Sequence, residues 1–289
     1  MPARPVLGLT IGDPAGVGPE LIKRCLAEAK LSVSCEFRVI GDPAGHAPGR
    51  PTASSARAAW DALEEAARLL QTGEIHGVMT APVAKQGLHE AGFPYPGQTE
   101  FFAARSATDN FAMCLTGGPL TVALATIHLP LREVASTLRT GEIVRVGKLL
   151  HEFLQRRLGR QPRIAVAGLN PHAGEQGRFG DEEQSIVAPA VAELTAHGDF
   201  TGPLSPDTVF HRAASGEFDG VLCMYHDQGL IPLKLLAFDT GVNVTLGLPF
   251  PRTSPDHGTA FDLAGTGRAN HRSMLAAINL AVEMLQNKS

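Results

Sequence analysis

The chain has 289 residues, 44% of them hydrophobic and 19% charged, with a formal net charge of -4 and a pI of about 6.3. A faintly acidic balance without a Lys/Arg run excludes nucleic acid and anionic membrane surfaces as the main partner, and the length suffices for a two-lobed body with a sizeable core. With no uninterrupted apolar stretch of bilayer length and no basic-then-apolar leader, a cytoplasmic location is expected.

The first segment, PVLGLTIG, reads as a strand and ELIKRCLAEAK as a helix, joined by the loop IGDPAGVGPE at residues 11–20. A glycine-rich turn between a strand and a helix lets backbone N–H groups approach an anion. Gly12, Gly16 and Gly18 do not match G-x-G-x-x-G, however, and no Lys-Ser or Lys-Thr follows as a P-loop requires. A tight connection with Pro19 in the first helical turn accounts for the loop equally well. CEFRVIG follows as a strand and GDPAGHAPGRP, residues 41–51, as a flexible surface connection.

Further along, SSARAAWDALEEAARLLQTG, GEIVRVGKLLHEFLQRRLG and EEQSIVAPAVAELTAHG carry apolar residues at spacings of three and four and end in glycine, as amphipathic helices do. Short β-branched runs alternate with them: IHGVMTAP, NFAMCLTG, LTVALATIHL, RIAVAGLNP, DGVLCMYHD and VNVTLGLP. HRSMLAAINLAVEMLQNK closes the chain as a helix. The alternation predicts an α/β protein with a largely parallel sheet covered by helices. Cys25, Cys35, Cys114 and Cys223 lie far apart in apolar segments with no C-x-x-C pair, and read as small buried hydrophobes in a reducing compartment.

Ligands of open α/β sheets gather beyond the carboxyl ends of strands. LTVALATIH ends in His128, RIAVAGLNPH in His172 and DGVLCMYH in His226. Each alone suits a hydrogen-bonded structural role. Three at equivalent strand ends can converge on one divalent metal with a position left for substrate, if the strands are neighbours or a second subunit completes the cleft. Asp227 and Asp207 are the nearest carboxylates, with Asp207 equally suited to capping a helix. Lys234, Asn243 and Arg252 sit in apolar or Gly/Pro-rich surroundings, where a cation needs either a protein carboxylate or an anionic ligand.

Read in order, GDPAGVGPE, VMTAPVAK, PGQTEFF, ALATIHLPLREV, AGLNPHAGE, GPLSPDTVF, MYHDQGLIPLK and GVNVTLGLPFPRTSPDHGTAFDLAGTGRAN closely resemble the 4-hydroxythreonine-4-phosphate dehydrogenase family, NAD-dependent enzymes of pyridoxal phosphate biosynthesis. The two ends are also similar to the wider isocitrate and isopropylmalate dehydrogenase superfamily, whose G-D-G-I-G-P-E and H-G-S-A-P-D-I-A-G-x-G-x-A-N signatures parallel GDPAGVGPE and HGTAFDLAGTGRAN.

The resemblance implies an α/β, two-lobed isocitrate/isopropylmalate dehydrogenase-like fold with a central cleft. Residues 1–118 and 240–289 would form the first lobe with the cofactor loop, and 119–239 the second with the metal site and dimer contacts. It places metal ligands at His128, His172 and His226, for Zn, Co, Mg or Mn, and substrate contacts at Gln98, Thr99, Lys234, Asn243 and Arg252. The NAD (or NADP) contacts fall in the late loop at Gly258, Gly265, Gly267 and Asn270, and the first glycine loop becomes a wall of the cleft. Asp207, Asp227 and Lys85 are eligible as general base on residue type alone. A homodimer is implied, its active site shared through a histidine of the neighbouring subunit, His226 being the expected one.

Two departures stand out. The family's P-G-H-T-E reads PGQTE here, so a histidine is replaced by Gln98, which hydrogen-bonds but carries no charge. The chain is also shorter than the family around residues 43–55. The expected reaction is metal-assisted oxidation and decarboxylation of 4-phosphohydroxy-L-threonine. The alternatives are a paralogue acting on another phosphorylated hydroxy acid or a carboxylated cyclic diol, and a non-catalytic metal or ligand sensor.

Overall fold

Alternating apolar runs and amphipathic helices build two compact units, one from Met1–Asp109 with Val242–Ser289, the other from Asn110–Gly241. The computed structural model describes residues 4–28 and 35–287; Ala29 and Lys30 of the expected first helix and Lys288 of the last lie outside them.

In the first unit the strands are β1 (Val6–Thr10), β2 (Glu36–Ile40), β3 (Gly77–Thr80), β9 (Val242–Leu246) and β10 (Arg252–Pro255), in the order β2-β1-β3-β10-β9. All neighbours are parallel except β9, which runs antiparallel to β10. The helices are α1 (Gly18–Ala27), α2 (Ala53–Gln71), α3 (Lys85–Glu90), α4 (Gln98–Arg105) and α10 (Arg272–Gln286). Thr52 starts α2 with a capping box: its hydroxyl accepts from the Ser55 N–H while the Ser55 hydroxyl accepts from the Thr52 N–H. The stripe Ala59, Ala62, Leu63 and Ala66 then packs on a core holding Ile75, Val78, Phe101 and Phe102.

In the second unit β4 (Ala112–Gly117), β5 (Leu120–Leu124), β6 (Arg163–Ala167), β7 (Asp199–Leu204) and β8 (Gly220–Cys223) lie in the order β4-β5-β8-β6-β7, parallel except for the β4–β5 hairpin. Helices α5 (Leu131–Thr137), α6 (Thr140–Leu158), α7 (Ala188–Leu194), α8 (Pro206–Ala214) and α9 (His226–Ala237) belong to this unit, and α6 ends on Gly159 in the left-handed conformation that glycine tolerates. Its core gathers Leu115, Val122, Leu124, Val209, Val221 and Leu233.

All four cysteines are free and buried, and burial pushes the Cys25 and Cys114 thiols up to about 12, where they are inert. Among the described residues no helix is long and apolar enough to cross a membrane.

The 41–51 stretch, expected as a flexible connection, is exposed but braced. The Gly49 N–H donates to the Ala15 carbonyl at 2.8 Å, and a Cβ at Gly265 would meet Pro48 at 2.8 Å.

Candidate active site

The glycine loop after β1 is a packing device. Gly12, at φ +70°, has room for no Cβ, which would lie 2.3 Å from the Pro82 carbonyl, and a Cβ on Gly18 would lie 2.1 Å from the Ile11 carbonyl. The Val17 N–H donates to the Thr259 carbonyl at 3.0 Å, tying the loop to the late segment after β10. There Gly258 and Gly267 face open space, whereas Gly265 donates its N–H to Glu20 Oε2 at 2.8 Å. Asn270 uses its side chain on the Arg272 N–H, at 3.0 Å, as it turns the chain into α10.

Strand alternation places Thr80 of β3, Arg252 of β10, and Asn243 and Thr245 of β9 on one face, with Gln98 and Thr99 of α4 over it. Arg252 is only 3% exposed and has no carboxylate within ion-pair distance among the described residues. Its Nη1 donates to Thr99 Oγ1 and Thr245 Oγ1, both at 3.2 Å; its Nη2 donates to Thr80 Oγ1 at 2.8 Å and to Gln98 Oε1 at 3.3 Å. Among the described residues the Nε–H is buried without a partner, and so is Asn243 Oδ1. Burial pulls the Arg252 guanidinium down to about 10, against a smaller upward pull from Glu100. A cation desolvated among neutral oxygens, beside one unused donor and one unused acceptor, is prepared for an anion with hydrogen-bonding groups. Lys85, at the first turn of α3, brings its Nζ near Gly97, next to Gln98.

The second unit holds the histidines. Since β5, β8 and β6 are neighbours, their ends lie side by side, and the His128 and His226 rings come to 5.6 Å between centroids, tilted by 43°. They line a cavity of about 210 Å³ with Leu129, Leu131, Tyr225 and Asp227. Asp227 Oδ1 lies 2.7 Å from His226 Nδ1, leaving Nε2 as the nitrogen for another partner. His172 is not with them. It stands exposed in the turn Pro171–Gly177 after β6, its ring 6.1 Å from that of Phe179. Among the described residues no three His, Cys, Asp or Glu side chains are grouped as a metal would need, so one chain brings two of the three expected ligands together.

Asp207, at the start of α8, accepts from the Ser205 hydroxyl at 2.6 Å; that bond, with a smaller contribution from His172, holds its carboxyl below the usual range. Lys234 lies half-buried on α9 of the second unit, whereas Asn243 and Arg252 belong to the first.

Thr80 and Thr245 are contacts that sequence reading passed over. The signal was present for one of them: in VNVTL, Asn243 and Thr245 are two apart on a strand and must share a face.

Comparison with known proteins matches residues 21–281 to the family model "Pyridoxal phosphate biosynthetic protein PdxA". A 4-hydroxythreonine-4-phosphate dehydrogenase of Geobacter metallireducens is 45% identical over 99% of this chain and 97% of its own. A D-threonate 4-phosphate dehydrogenase of Pectobacterium atrosepticum is 42% identical over 96% of this chain and 99% of its own. Among solved structures, 4-hydroxythreonine-4-phosphate dehydrogenase from Klebsiella pneumoniae superposes with a TM-score of 0.83 at 42% identity, covering 98% of this chain and all of that one (100%). A β-decarboxylating dehydrogenase of Thermococcus kodakarensis, at 15% identity and a TM-score of 0.59 over 98% of this chain and 84% of that one, shares the fold alone.

Proposed function

Because the chain belongs to the PdxA family of pyridoxal phosphate biosynthetic proteins and is an enzyme of its dehydrogenase kind, we propose that it oxidises 4-phosphohydroxy-L-threonine with NAD (or NADP). The secondary alcohol loses its hydroxyl proton to a base and its C–H hydride to the nicotinamide, giving a ketone β to the carboxylate. Loss of carbon dioxide then leaves an enolate, and protonation of its carbon gives 3-amino-2-oxopropyl phosphate. The observation that carries this reading is Arg252, a buried guanidinium that among the described residues has no carboxylate partner and an unpartnered Nε–H, with an unpartnered Asn243 oxygen on the same sheet face. Such a site suits a substrate that is anionic and polar.

In this reading Arg252, Thr99, Gln98 and Asn243 of the first unit hold the substrate's anionic groups and orient its C–H, a contribution on which much of the rate depends, and Lys234 is a further proposed contact. The late loop with Gly258, Gly265, Gly267 and Asn270 takes the dinucleotide; the open space at Gly258 and Gly267 supports close backbone approach there. Asp227 and Lys85 are the candidate proton acceptors, while Asp207, held ionised by Ser205, is better suited to steadying a cation near His172.

A divalent metal (Zn, Co, Mg or Mn) belongs to the same proposal, held by His128, His172 and His226, and when bound would supply Lewis-acid stabilisation of negative charge on oxygen. One chain does not assemble that donor set, so the ligands are drawn from two subunits of a homodimer. Exposed apolar side chains support an interface: Leu131, which lines the cavity of the two paired histidines, is 70% exposed, Ile231 and Leu235 on α9 are 66% and 83% exposed, and Phe238 just past α9 is 74% exposed. Large exposed apolar side chains of this kind on the unit that carries the histidines fit a subunit contact.

A second reading has one observation in its favour. Gln98 replaces a histidine, so the charge at this wall is lower, and the substrate becomes another phosphorylated hydroxy acid such as D-threonate 4-phosphate, the compound named for the Pectobacterium relative. Following NADH absorbance with both compounds and added divalent metal separates the two. Formation of NADH and carbon dioxide from 4-phosphohydroxy-L-threonine is the expected result. A preference for the threonate that reverses in Gln98→His would establish the second reading, and no reduced nicotinamide from either compound with NAD or with NADP would remove both.

A further inference from the structure

His172 stands on a backbone that L-residues avoid. From His172 to Gln176 the φ angles are 53°, 51°, 76°, 41° and 60°, a left-handed turn in which only Gly174 is glycine. Each of the other residues costs about 1–2 kcal/mol in this conformation, so the surroundings must hold the turn. Seven residues beyond it the chain forms a π-helical turn, Glu183–Val187, and its first residue supplies the support. Glu183 is 3% exposed. Its Oε1 accepts from the backbone N–H groups of Leu169 and Asn170, both at 2.7 Å, and its Oε2 accepts from Asn170 Nδ2 at 3.0 Å. On either side of His172 the backbone closes on the same carboxylate: a Cβ on Gly174 would lie 2.6 Å from Oε2, and one on Gly168 would lie 3.2 Å from Oε1. Among the described residues no cation is paired with it; its charge is held by neutral N–H donors.

We propose that Glu183 is the positioning residue of His172: its buried carboxylate fixes Leu169 and Asn170, shapes the left-handed turn, and thereby sets where the imidazole stands. A carboxylate suits the task because it accepts at both oxygens and never donates. Glutamine at the same place keeps Oε1 for the two backbone N–H groups but turns an NH₂ toward Asn170 Nδ2, donor against donor. Asn170 cannot simply rotate its amide, because the same Nδ2 also donates to Glu182 Oε2 at 2.7 Å.

The inference rests on the reading that His172 takes part in the reaction, and the test separates the two. Wild-type protein, Glu183→Gln, Glu183→Asp and His172→Ala are compared with ¹⁵N-histidine labelling, His172→Ala identifying the His172 ring signals. Hydrogen exchange at Leu169 and Asn170 and steady-state kinetics complete the comparison. Glu183→Gln should keep a cooperative thermal transition, exchange those two amides faster, displace the His172 ring signals, and lower kcat about 10- to 100-fold, with KM for the dinucleotide unchanged. Glu183→Asp, one methylene short, should do the same more strongly and serves if the glutamine variant does not fold. Unmoved His172 signals in a folded Glu183 variant, with His172→Ala inactive, would overturn the positioning role. Displaced signals with wild-type kinetics in His172→Ala would instead overturn the function assigned to His172.

Discussion

The Arg252 cradle and the histidine set rest on the same kind of support, residues at or just past strand ends, yet they are finished to different degrees. Around Arg252, two strands and a helix of one unit supply every Nη partner, and the guanidinium is desolvated before any ligand arrives. The histidines stand at the mouth of a cavity, at the first residue of α9 and on an exposed left-handed turn; only two of the three meet, next to large exposed apolar side chains. On the proposed reading the anion cradle is built within one unit of a single chain, while the histidine site is completed by a partner subunit. A cradle that must be rigid can be built from strands. A site that a second subunit finishes has to lie on an uncovered surface.

The sharpest way to break that contrast is complementation. His172→Ala and His226→Ala should each lose activity by more than about 100-fold, as removal of a ligand or catalytic group does. Mixed under conditions of subunit exchange, half the dimers are heterodimers, and if one histidine of each site comes from the partner, one site in each heterodimer is intact. About a quarter of wild-type activity should return. Verified heterodimers without activity would mean that each site draws both histidines from one chain, and the difference between the two regions would lose its explanation.

The next effect concerns the finished half. Burial lowers the Arg252 pKa from 12.5 to about 10, so its charged form is less stable in the fold than in the unfolded chain. For a base with a depressed folded pKa the penalty is full at neutral pH and is relieved only as pH rises above about 10. Arg252→Met should therefore melt no lower than wild type at pH 7, while kcat/KM falls by about 100-fold or more. Arg252→Lys keeps charge but loses the planar fork that reaches four oxygens, and should lose about 10- to 100-fold in kcat/KM together with some stability. Inorganic phosphate should raise the melting temperature of wild type but not of Arg252→Met. Wild-type kinetics in the methionine variant would show the cradle to be structural.

How much of this could be read in advance follows from the physics of each element. α2, α6 and α10 declare themselves by apolar residues at three and four, and β1, β3 and β8 by short apolar runs. α9 was hidden because Pro232 interrupts it and its exposed side is as apolar as its buried one. β5 was expected to run to Leu129 but ends at Leu124; the Ala125 and Thr126 N–H groups still reach the Cys223 and Met224 carbonyls at 2.8 and 3.2 Å, and the Thr126 hydroxyl donates to the Met224 carbonyl at 2.7 Å. In the candidate site Arg252 and Asn243 were legible as polar residues in apolar surroundings. Thr80 joins them only through the pairing of β3 with β10, which no local pattern encodes. The left-handed turn at His172 was illegible for a similar reason: HAGEQG has an ordinary local composition, and its conformation is set by Glu183 from outside.

The smallest effect sharpens the comparison by asking whether the two units are also separate in stability. Asp219, before β8 in the second unit, accepts from Arg160 Nη1 at 2.9 Å and Nη2 at 2.7 Å and from the Arg163 N–H at 2.8 Å, with its side chain 11% exposed. The Arg160 hydrogen bonds lead in holding its carboxyl far below the ordinary value of 3.8. For an acid with a depressed folded pKa the stabilisation is present above the unfolded value and drains away as pH falls below it. Asp219→Asn should thus cost about 1–3 kcal/mol at pH 7, with the gap to wild type closing as pH drops below about 3.8. The chain's one tryptophan, Trp60, lies in the first unit, so its fluorescence reports that unit while far-UV circular dichroism reports both. Each unit has its own core, so at pH 7 the dichroism midpoint of Asp219→Asn should fall further than the Trp60 midpoint. Equal shifts would show that the two halves melt as one, and the division of labour between cradle and histidines would then be one of chemistry alone.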